Sequence, residues 1–200
     1  MELIGAEKLT FDATKHEYRL SGEKIPSVTQ ILKILTGDVY ANIPERNLQI
    51  AAERGSAIHE AFEIWALYGI DDVDSQYRPY MDAFLKWWDE NQPEECSAET
   101  VLYHPVLRYA GTADLICKIN GKTTLIDYKT TAKAFPKIYA LQLEAYAQAL
   151  RAHGVEVEDK IILHVMKNGK LEALHFPARD PDAWSVFGAL LKVDAYRQQL

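Results

Sequence analysis

The chain of 200 residues has little cysteine, no long apolar run and no excess of positive charge. Cys96 and Cys117 are too few for a disulfide framework or for a four-cysteine iron–sulfur cluster within this chain. No apolar run could span a bilayer, and Met1 is followed by Glu2, without the basic and apolar regions of a secretory signal. We therefore expect a protein of a reducing, cytoplasmic compartment without a membrane partner.

The charge balance excludes some functions and leaves others open. A formal net charge of −7 argues against a protein that coats nucleic acid non-specifically. It does not exclude a nucleic-acid enzyme, because a metal site built from carboxylates is itself negative and a basic groove can be local. No G-x-x-x-x-G-K-[ST] motif occurs, so we expect no nucleotide-driven motor.

Hydrophobic periodicity and turn signals predict an N-terminal hairpin, then helices, three strands, a helix, two strands and a helix. The central strands are separated by predicted turns at Leu107–Arg108 and Asn120–Gly121, and Gly55 indicates a close approach or a break in the second helix. This order predicts an α/β or α+β fold, with a central mixed sheet flanked by helices, in one domain over residues 1–200. The predicted helices begin at Ser27 or Thr29 and cover 47–67, 76–92, 137–154 and 181–199, and the central and later strands cover 98–107, 108–119, 122–130, 159–167 and 170–177.

The most informative stretch is "TTLIDYKTT", a strand that ends in charged residues. Residues two apart on a strand share a face, so Asp127 and Lys129 should project together, opposite to Ile126 and Tyr128. Asp114 lies as far before the Asn120–Gly121 turn as Asp127 lies after it. The two carboxylates should therefore come within metal-bridging distance.

Two acids and a lysine at one place fit a hard divalent cation with oxygen ligands. Such an ion would polarise a phosphodiester, while Lys129 would orient or deprotonate water and offset negative charge. The alternative for so short a motif is an ion pair between Asp127 and Lys129 on a half-exposed strand.

Further pairs accompany this motif, each with a structural alternative. Gln142 and Tyr146 share a helix face and could be a boundary stripe, and His59 could be a ligand or an ordinary helical histidine. Ser27 and Thr29 stand at a helix start, where hydroxyls and free N–H groups either bind phosphate or cap the helix.

In this order, "RGSAIHEAFE", "GTAD", "DYKT" and "QLEAY" resemble the RecB-like branch of the PD-(D/E)XK nucleases. The opening "PSVTQIL" is similar to phage and mitochondrial-genome-maintenance exonucleases of that branch, and the resemblance covers roughly residues 25–150. It implies the restriction-endonuclease-like fold, a Mg²⁺- or Mn²⁺-dependent deoxyribonuclease, and the cytoplasm of a bacterial or phage-infected cell.

The resemblance also implies roles for individual residues. The implied metal ligands are His59, Asp114, Asp127 and the carbonyl of Tyr128, and the implied catalytic residues are Asp114, Asp127 and Lys129. The implied substrate contacts are Gln142, Tyr146, Ser27, Thr29, Thr130 and Arg54. Glu99 lies where relatives often carry an acid, with its role left open, and Arg54 with Glu63 is a candidate support pair.

Four functions remain open from the sequence. The first is a DNA exonuclease without an iron–sulfur cluster that acts on single strands or DNA ends, and the second is a structure-specific or sequence-recognising endonuclease of the same fold. The third is a non-catalytic module that binds DNA ends or a protein partner, and the fourth is an acidic interaction protein in which the motifs occur by chance. We also expect a narrow positive path for the strand, through or past the metal, lined by Lys129, Lys133, Lys137, Arg46, Arg54 and the helix start with Ser27 and Thr29.

Overall fold

The computed structural model describes residues 9–12, 14–40 and 43–199. Met1 and Glu2 lie outside that part, and so does Ala13, which belongs to the predicted hairpin turn. Its helices and strands follow the predicted order. The strands are β1 (Leu9–Asp12), β2 (Glu17–Leu20), β3 (Glu23–Ile25), β4 (Glu94–His104), β5 (Tyr109–Ile119), β6 (Lys122–Lys129), β7 (Asp159–Val165) and β8 (Leu171–Phe176). The helices are α1 (Val28–Tyr40), α2 (Glu45–Tyr68), α3 (Arg78–Asn91), α4 (Pro136–Arg151) and α5 (Pro181–Arg197), with a 3-10 turn at Ser75–Tyr77.

The central sheet is mixed, as the sequence predicted. Its five strands lie in the order β4-β5-β6-β7-β8, and all neighbours are antiparallel except β6 and β7. The parallel pair is connected through α4, because parallel neighbours need a crossover and cannot be joined by a tight turn. The chain therefore has an α/β core.

Helices cover both faces of this sheet. On one face α1, α4 and α5 enclose a core that includes Leu125 and Ile162. On the other face α2 and α3 pack on a core that includes Ile126 and Tyr128. Because adjacent residues of β6 alternate between the two cores, Asp127 and Lys129 lie on the face opposite to Tyr128, as predicted.

The small sheet β1-β2-β3 packs on one end of the central sheet through a third core, which includes Tyr18 and Val101. The hydroxyl of Tyr18 lies 2.8 Å from that of Thr112 on β5. Ser27, directly before α1, forms an isolated bridge with Ala110. These contacts hold the β1–β2 hairpin and the start of α1 beside β5.

A buried charged network fixes α4 against β7. Glu144 of α4 contacts Lys160, and both side chains are almost completely buried. Arg151 lies 3.2 Å from the Glu144 carboxylate and donates to the carbonyl of Ala178 at 2.6 Å. The backbone N–H of Asp180 also donates to Glu144, at 3.2 Å. Removing one member would leave a buried charge unpaired, at a cost of about 3–5 kcal/mol.

Of the two possibilities at Gly55 the break does not occur, because helix α2 passes through it, and a Cβ there would be in ordinary van der Waals contact, 3.6 Å from Oγ1 of Thr130. The turn between β4 and β5 covers four residues, 105–108, rather than Leu107–Arg108, and His104 pairs with Tyr109. None of the described helices has the length and apolar character needed to cross a membrane.

Candidate active site

The site forms where β5 and β6 separate. Their last paired residues are Leu115 and Ile126, so Asp114 and Asp127 are the next positions in register. Instead of continuing the ladder, Asp114 accepts a hydrogen bond from the backbone N–H of Tyr128 at 2.6 Å. The side chain of Asp114 thus occupies the gap between the strands, which brings the two carboxylates to one place as predicted.

Helix α4 holds Asp127. Nε2 of Gln142 donates to Oδ1 of Asp127 at 2.7 Å and to the hydroxyl of Tyr146 at 3.2 Å. Tyr146 lies against Gly111, where a Cβ would come within 2.5 Å of its Cε1 atom. The glycine of "GTAD" is therefore needed for the ring of Tyr146 to reach Gln142.

Lys129 faces the other oxygen of Asp127, Oδ2, in close contact. Its ammonium also lies 5.6 Å from the ring centroid of Tyr139. Burial would lower the pKa of Lys129, but the charges of Asp127 and Asp114 outweigh it and the net shift is upward. Lys129 therefore remains a cation in the metal-free site.

Helix α2 approaches from the opposite face of the sheet. Ala52, Gly55, Ser56 and His59 recur three or four residues apart and line the same cavity, because that spacing follows one helix face. Nδ1 of His59 lies 3.5 Å from Oδ2 of Asp114. Burial would lower the pKa of His59, but Asp114 outweighs it and raises the pKa.

Glu99 enters the site through irregular backbone in β4. Thr100 pairs with Ala113 and Ala98 with Leu115, which places Glu99 across from Asp114, and its φ is 46°. A non-glycine residue in the left-handed region is uncommon and is often found at functional sites. Burial, with Asp114 and Glu63 nearby, raises the pKa of Glu99 to about 7.

His59, Glu99 and Asp114 each offer one ligand atom, and these three atoms lie within 4.8 Å of one another. A nitrogen and two carboxylate oxygens suit Mg²⁺ or Mn²⁺. Burial raises the pKa of Asp127 to about 6; the charge of Lys129 opposes this rise and the charge of Asp114 adds to it. A bound cation would offset the repulsion between the buried carboxylates, so the donor set fits a divalent metal.

All these groups line one cavity of about 700 Å³. Lys129 is the one lysine or arginine among its described lining residues, whereas Glu60, Glu63, Glu99 and the two aspartates are acidic. The complete described lining is His16, Tyr18, Ser27, Thr29, Ala52, Gly55, Ser56, His59, Glu60, Glu63, Glu99, Gly111, Thr112, Asp114, Asp127, Lys129, Gln142 and Tyr146.

Among the residues of the expected positive path, Lys129, Ser27 and Thr29 line this cavity. Arg46, Lys133 and Lys137 are exposed and are not among its lining residues. Arg54 instead donates to the carbonyl of Thr130 at 3.4 Å, and in the part of the chain described here it forms no ion pair with Glu63. Arg54 thus braces the end of β6 from α2.

Of the other predicted site residues, some line the cavity and some lie outside it. Ser27 and Thr29 line it, with their hydroxyls 3.1 Å apart, and Ser27 Oγ also accepts from the N–H of Gln30 at 3.1 Å. Thr130 is outside the lining, and the ring of Tyr128 packs in the α2–α3 core, 5.5 Å from His59. The backbone of Tyr128 reaches the site through its N–H.

The sequence left Glu99 open and missed His16, Tyr18 and Glu60. Counting outward from a turn centred between Val106 and Leu107 would have placed Glu99 opposite Asp114. The predicted turn was centred one residue later, between Leu107 and Arg108. That register would pair Asp114 with Val101, two positions away from Glu99. His16 and Tyr18 had no comparable signal, because only the packing of the small sheet brings them to the cavity.

The sequence of residues 66–195 matches the family model of the PD-(D/E)XK nuclease superfamily. The match includes Asp114, Asp127, Lys129 and Gln142 and begins after His59. No curated protein sequence matches the chain.

Among solved structures, an alkaline exonuclease from Laribacter hongkongensis has a TM-score of 0.45 and 10% identity, over 70% of this chain and 77% of that chain. The same exonuclease in complex with dAMP has a TM-score of 0.46 and 11% identity, over 88% of both chains. A structure described as SSO0001 has a TM-score of 0.48 and 16% identity, over 86% of this chain and 75% of that chain.

Proposed function

Because the chain belongs to the PD-(D/E)XK nuclease superfamily, we propose that it is a metal-dependent deoxyribonuclease, an exonuclease that hydrolyses phosphodiester bonds in single-stranded DNA or at DNA ends. The observation that supports this most directly is the cluster of His59, Glu99 and Asp114 ligand atoms, within 4.8 Å of one another. Asp127 and Lys129 line the same cavity as this cluster. The proposal treats residues 1–200 as one nuclease domain.

The chain's own residues would hold Mg²⁺ or Mn²⁺ at this cluster, with Asp127 beside it. When bound, such an ion polarises the phosphoryl oxygen and lowers the pKa of coordinated water. His59 favours Mn²⁺ beside Mg²⁺, because imidazole suits the softer ion. Asp114 is oriented by the Tyr128 N–H and Asp127 by Gln142, so both carboxylates have defined directions.

Lys129 would act on the phosphate that is being attacked. Its ammonium is held by Asp127 and placed in the cavity, where it can orient the attacking water and offset negative charge that develops on the phosphoryl oxygens. Since Asp127 and Asp114 raise the pKa of Lys129, a cationic role fits this lysine better than removal of a proton.

The shape of the site supports a single strand as substrate. A volume of about 700 Å³ lies within the range of pockets that enclose one small ligand. Gln142 and Tyr146 border the metal side of the cavity, and Ser27 and Thr29 border it at the start of α1, where an incoming phosphate would meet helix N–H groups. Arg54 and Thr130 contribute by supporting the end of β6.

The RecB-like subtype, including the likeness to phage exonucleases, rests on the ordered motifs alone. A structure-specific endonuclease would use the same residues, whereas a non-catalytic module would have no use for Lys129 beside two carboxylates.

The test is incubation of labelled single-stranded and duplex DNA, with either the 5′ or the 3′ end blocked, in Mg²⁺, Mn²⁺ or EDTA. We expect cleavage with a divalent ion, none in EDTA, and a progressive loss of nucleotides that one blocked end prevents. Cleavage of circular single strands would favour an endonuclease, and binding without cleavage under every condition would overturn the proposal.

A further inference from the structure

A cluster of aromatic side chains lies at the cavity on the β1–β2 hairpin. Phe11 and Tyr18 are register partners on the two strands, and their rings stack with centroids 4.5 Å apart. The ring of His16 stands nearly perpendicular to both, at 5.5 Å from Phe11 and 5.6 Å from Tyr18. His16 and Tyr18 line the same cavity as the proposed metal ligands.

The three rings differ in accessibility. Tyr18 is 1% exposed and its hydroxyl is bound to Thr112, so it anchors the hairpin to β5. Phe11 is partly buried against the third core. His16 is exposed, and neither of its ring contacts is a face-to-face stack. Its ring is therefore available to a ligand, on a support that the other two rings make rigid.

The backbone at His16 is also unusual. Its φ of 49° lies in the left-handed region, where histidine, asparagine and aspartate are enriched over other non-glycine residues. The turn therefore accommodates the imidazole that lines the cavity, and asparagine can replace it with the same backbone.

The charges in the cavity indicate which part of a DNA strand the ring contacts. Five carboxylates and one lysine line it, so the phosphates of a strand gain little attraction there away from a bound metal. Stacking of a base on an aromatic ring does not depend on that charge, and it contributes about 1–3 kcal/mol per base in single-strand binding.

We propose that His16, supported by Phe11 and Tyr18, forms a stacking site for one nucleobase of the strand whose phosphate occupies the metal site. This inference rests on the proposed nuclease function and adds a subsite for the base to it. His16 holds the base without sequence preference, because every base offers a flat face, and it thereby places the neighbouring phosphate at the metal ligands.

The test compares His16→Asn with the wild-type enzyme. Asparagine is tolerated at positive φ, so this change removes the ring and keeps the backbone. His16→Tyr restores an aromatic ring without the imidazole. His175→Asn is the matched control, because His175 is another exposed histidine and is not among the described residues that line the cavity.

Single-turnover cleavage and fluorescence anisotropy are measured on an intact single strand and on strands with one abasic residue at successive positions. In the wild type we expect one position at which the abasic residue weakens half-saturation by about 5- to 150-fold. His16→Asn should weaken the intact strand by a similar factor and abolish the abasic effect at that position, whereas His16→Tyr and His175→Asn should behave as wild type.

An equal loss for intact and abasic strands in His16→Asn would indicate a phosphate contact and overturn the stacking site. Unchanged single-strand binding in His16→Asn would show that the three rings serve only to pack the hairpin. A strand made only of abasic residues reports on the nuclease function separately: its metal-dependent cleavage at high concentration should persist in wild type and in His16→Asn. If no strand is cleaved with any metal, the proposed function fails, and anisotropy still decides whether His16 stacks on a base.

Discussion

Gly111 and Tyr146 are packed so closely that a Cβ on the glycine would lie 2.5 Å from Cε1 of the tyrosine ring. The ring cannot move aside freely, because Tyr146 is 3% exposed and its hydroxyl is bound to Gln142. Gln142 in turn holds Asp127. This contact connects the packing of β5 against α4 to the geometry of the site.

Gly111→Ala should therefore impair activity more than a surface change does. We expect overpacking to lower the free energy of unfolding by about 1–3 kcal/mol and to displace Tyr146 with Gln142. Cleavage rate and thermal unfolding measure the two effects. Gly188→Ala is the control, because nothing lies within 4 Å of a Cβ at that helical glycine.

Lys129→Ala should lower the cleavage rate by about 10²-fold or more, while the fold and divalent-ion binding remain. The reason is that Lys129 is the one lysine or arginine among the described residues that line the cavity. Single-turnover rates and calorimetric metal titration test this, with the exposed Lys133→Ala as control. Near-normal turnover in Lys129→Ala would remove Lys129 from the chemical step.

Substitution of the ligand cluster should weaken divalent-ion binding. Asp114→Asn, Glu99→Gln and His59→Ala each remove a charge or a donor atom, and Asp127→Asn removes the neighbouring charge. His59→Ala should also shift the preference from Mn²⁺ towards Mg²⁺. Calorimetric titration with both ions measures this, with Glu90→Gln as a control at an exposed position on α3. Unchanged Mn²⁺ affinity in all four variants would show that these residues do not bind the metal.

Glu99 should make the metal-free protein less stable as the pH rises. Burial raises the pKa of Glu99 from its ordinary value of 4.5 to about 7. Between these values the folded chain binds more protons than the unfolded chain, so this group's contribution to the free energy of unfolding falls as pH increases. Thermal unfolding in EDTA should show that stability falls less from pH 5 to pH 8 in Glu99→Gln than in the wild type. An identical pH profile in both proteins would contradict the buried, repelled state of this carboxyl.

Substitutions at the start of α1 can distinguish helix capping from phosphate binding. Ser27 is 1% exposed and caps Gln30, so Ser27→Ala should cost about 1 kcal/mol of stability. Thr29 is exposed to the cavity and does not hold that N–H, so Thr29→Ala should weaken single-strand binding with little change in stability. Anisotropy and thermal unfolding of each variant, and of the double variant, compare the two roles. Unchanged strand affinity in Thr29→Ala and in the double variant would leave capping as the only function of this pair.

The sequence by itself determined the order of the elements and much of the site. Alternation along "TTLIDYKTT" places Asp127 and Lys129 on one face, and the Asn120–Gly121 turn sets the register that brings Asp114 to Asp127. Helical spacing places Gln142 above Tyr146. These predictions hold because strand alternation, hairpin register and helix periodicity are local properties of a chain.

Tertiary structure alone decided the remaining contacts. Glu99 faces Asp114 because the four-residue turn sets the register of β4 against β5, and a shift of that turn by one residue changes the partner of Asp114 by two. Arg54 contacts Thr130, and His16 reaches the cavity, because whole elements pack against each other from distant parts of the chain. Their positions depend on how two sheets and a helix fill space together, which no local pattern encodes.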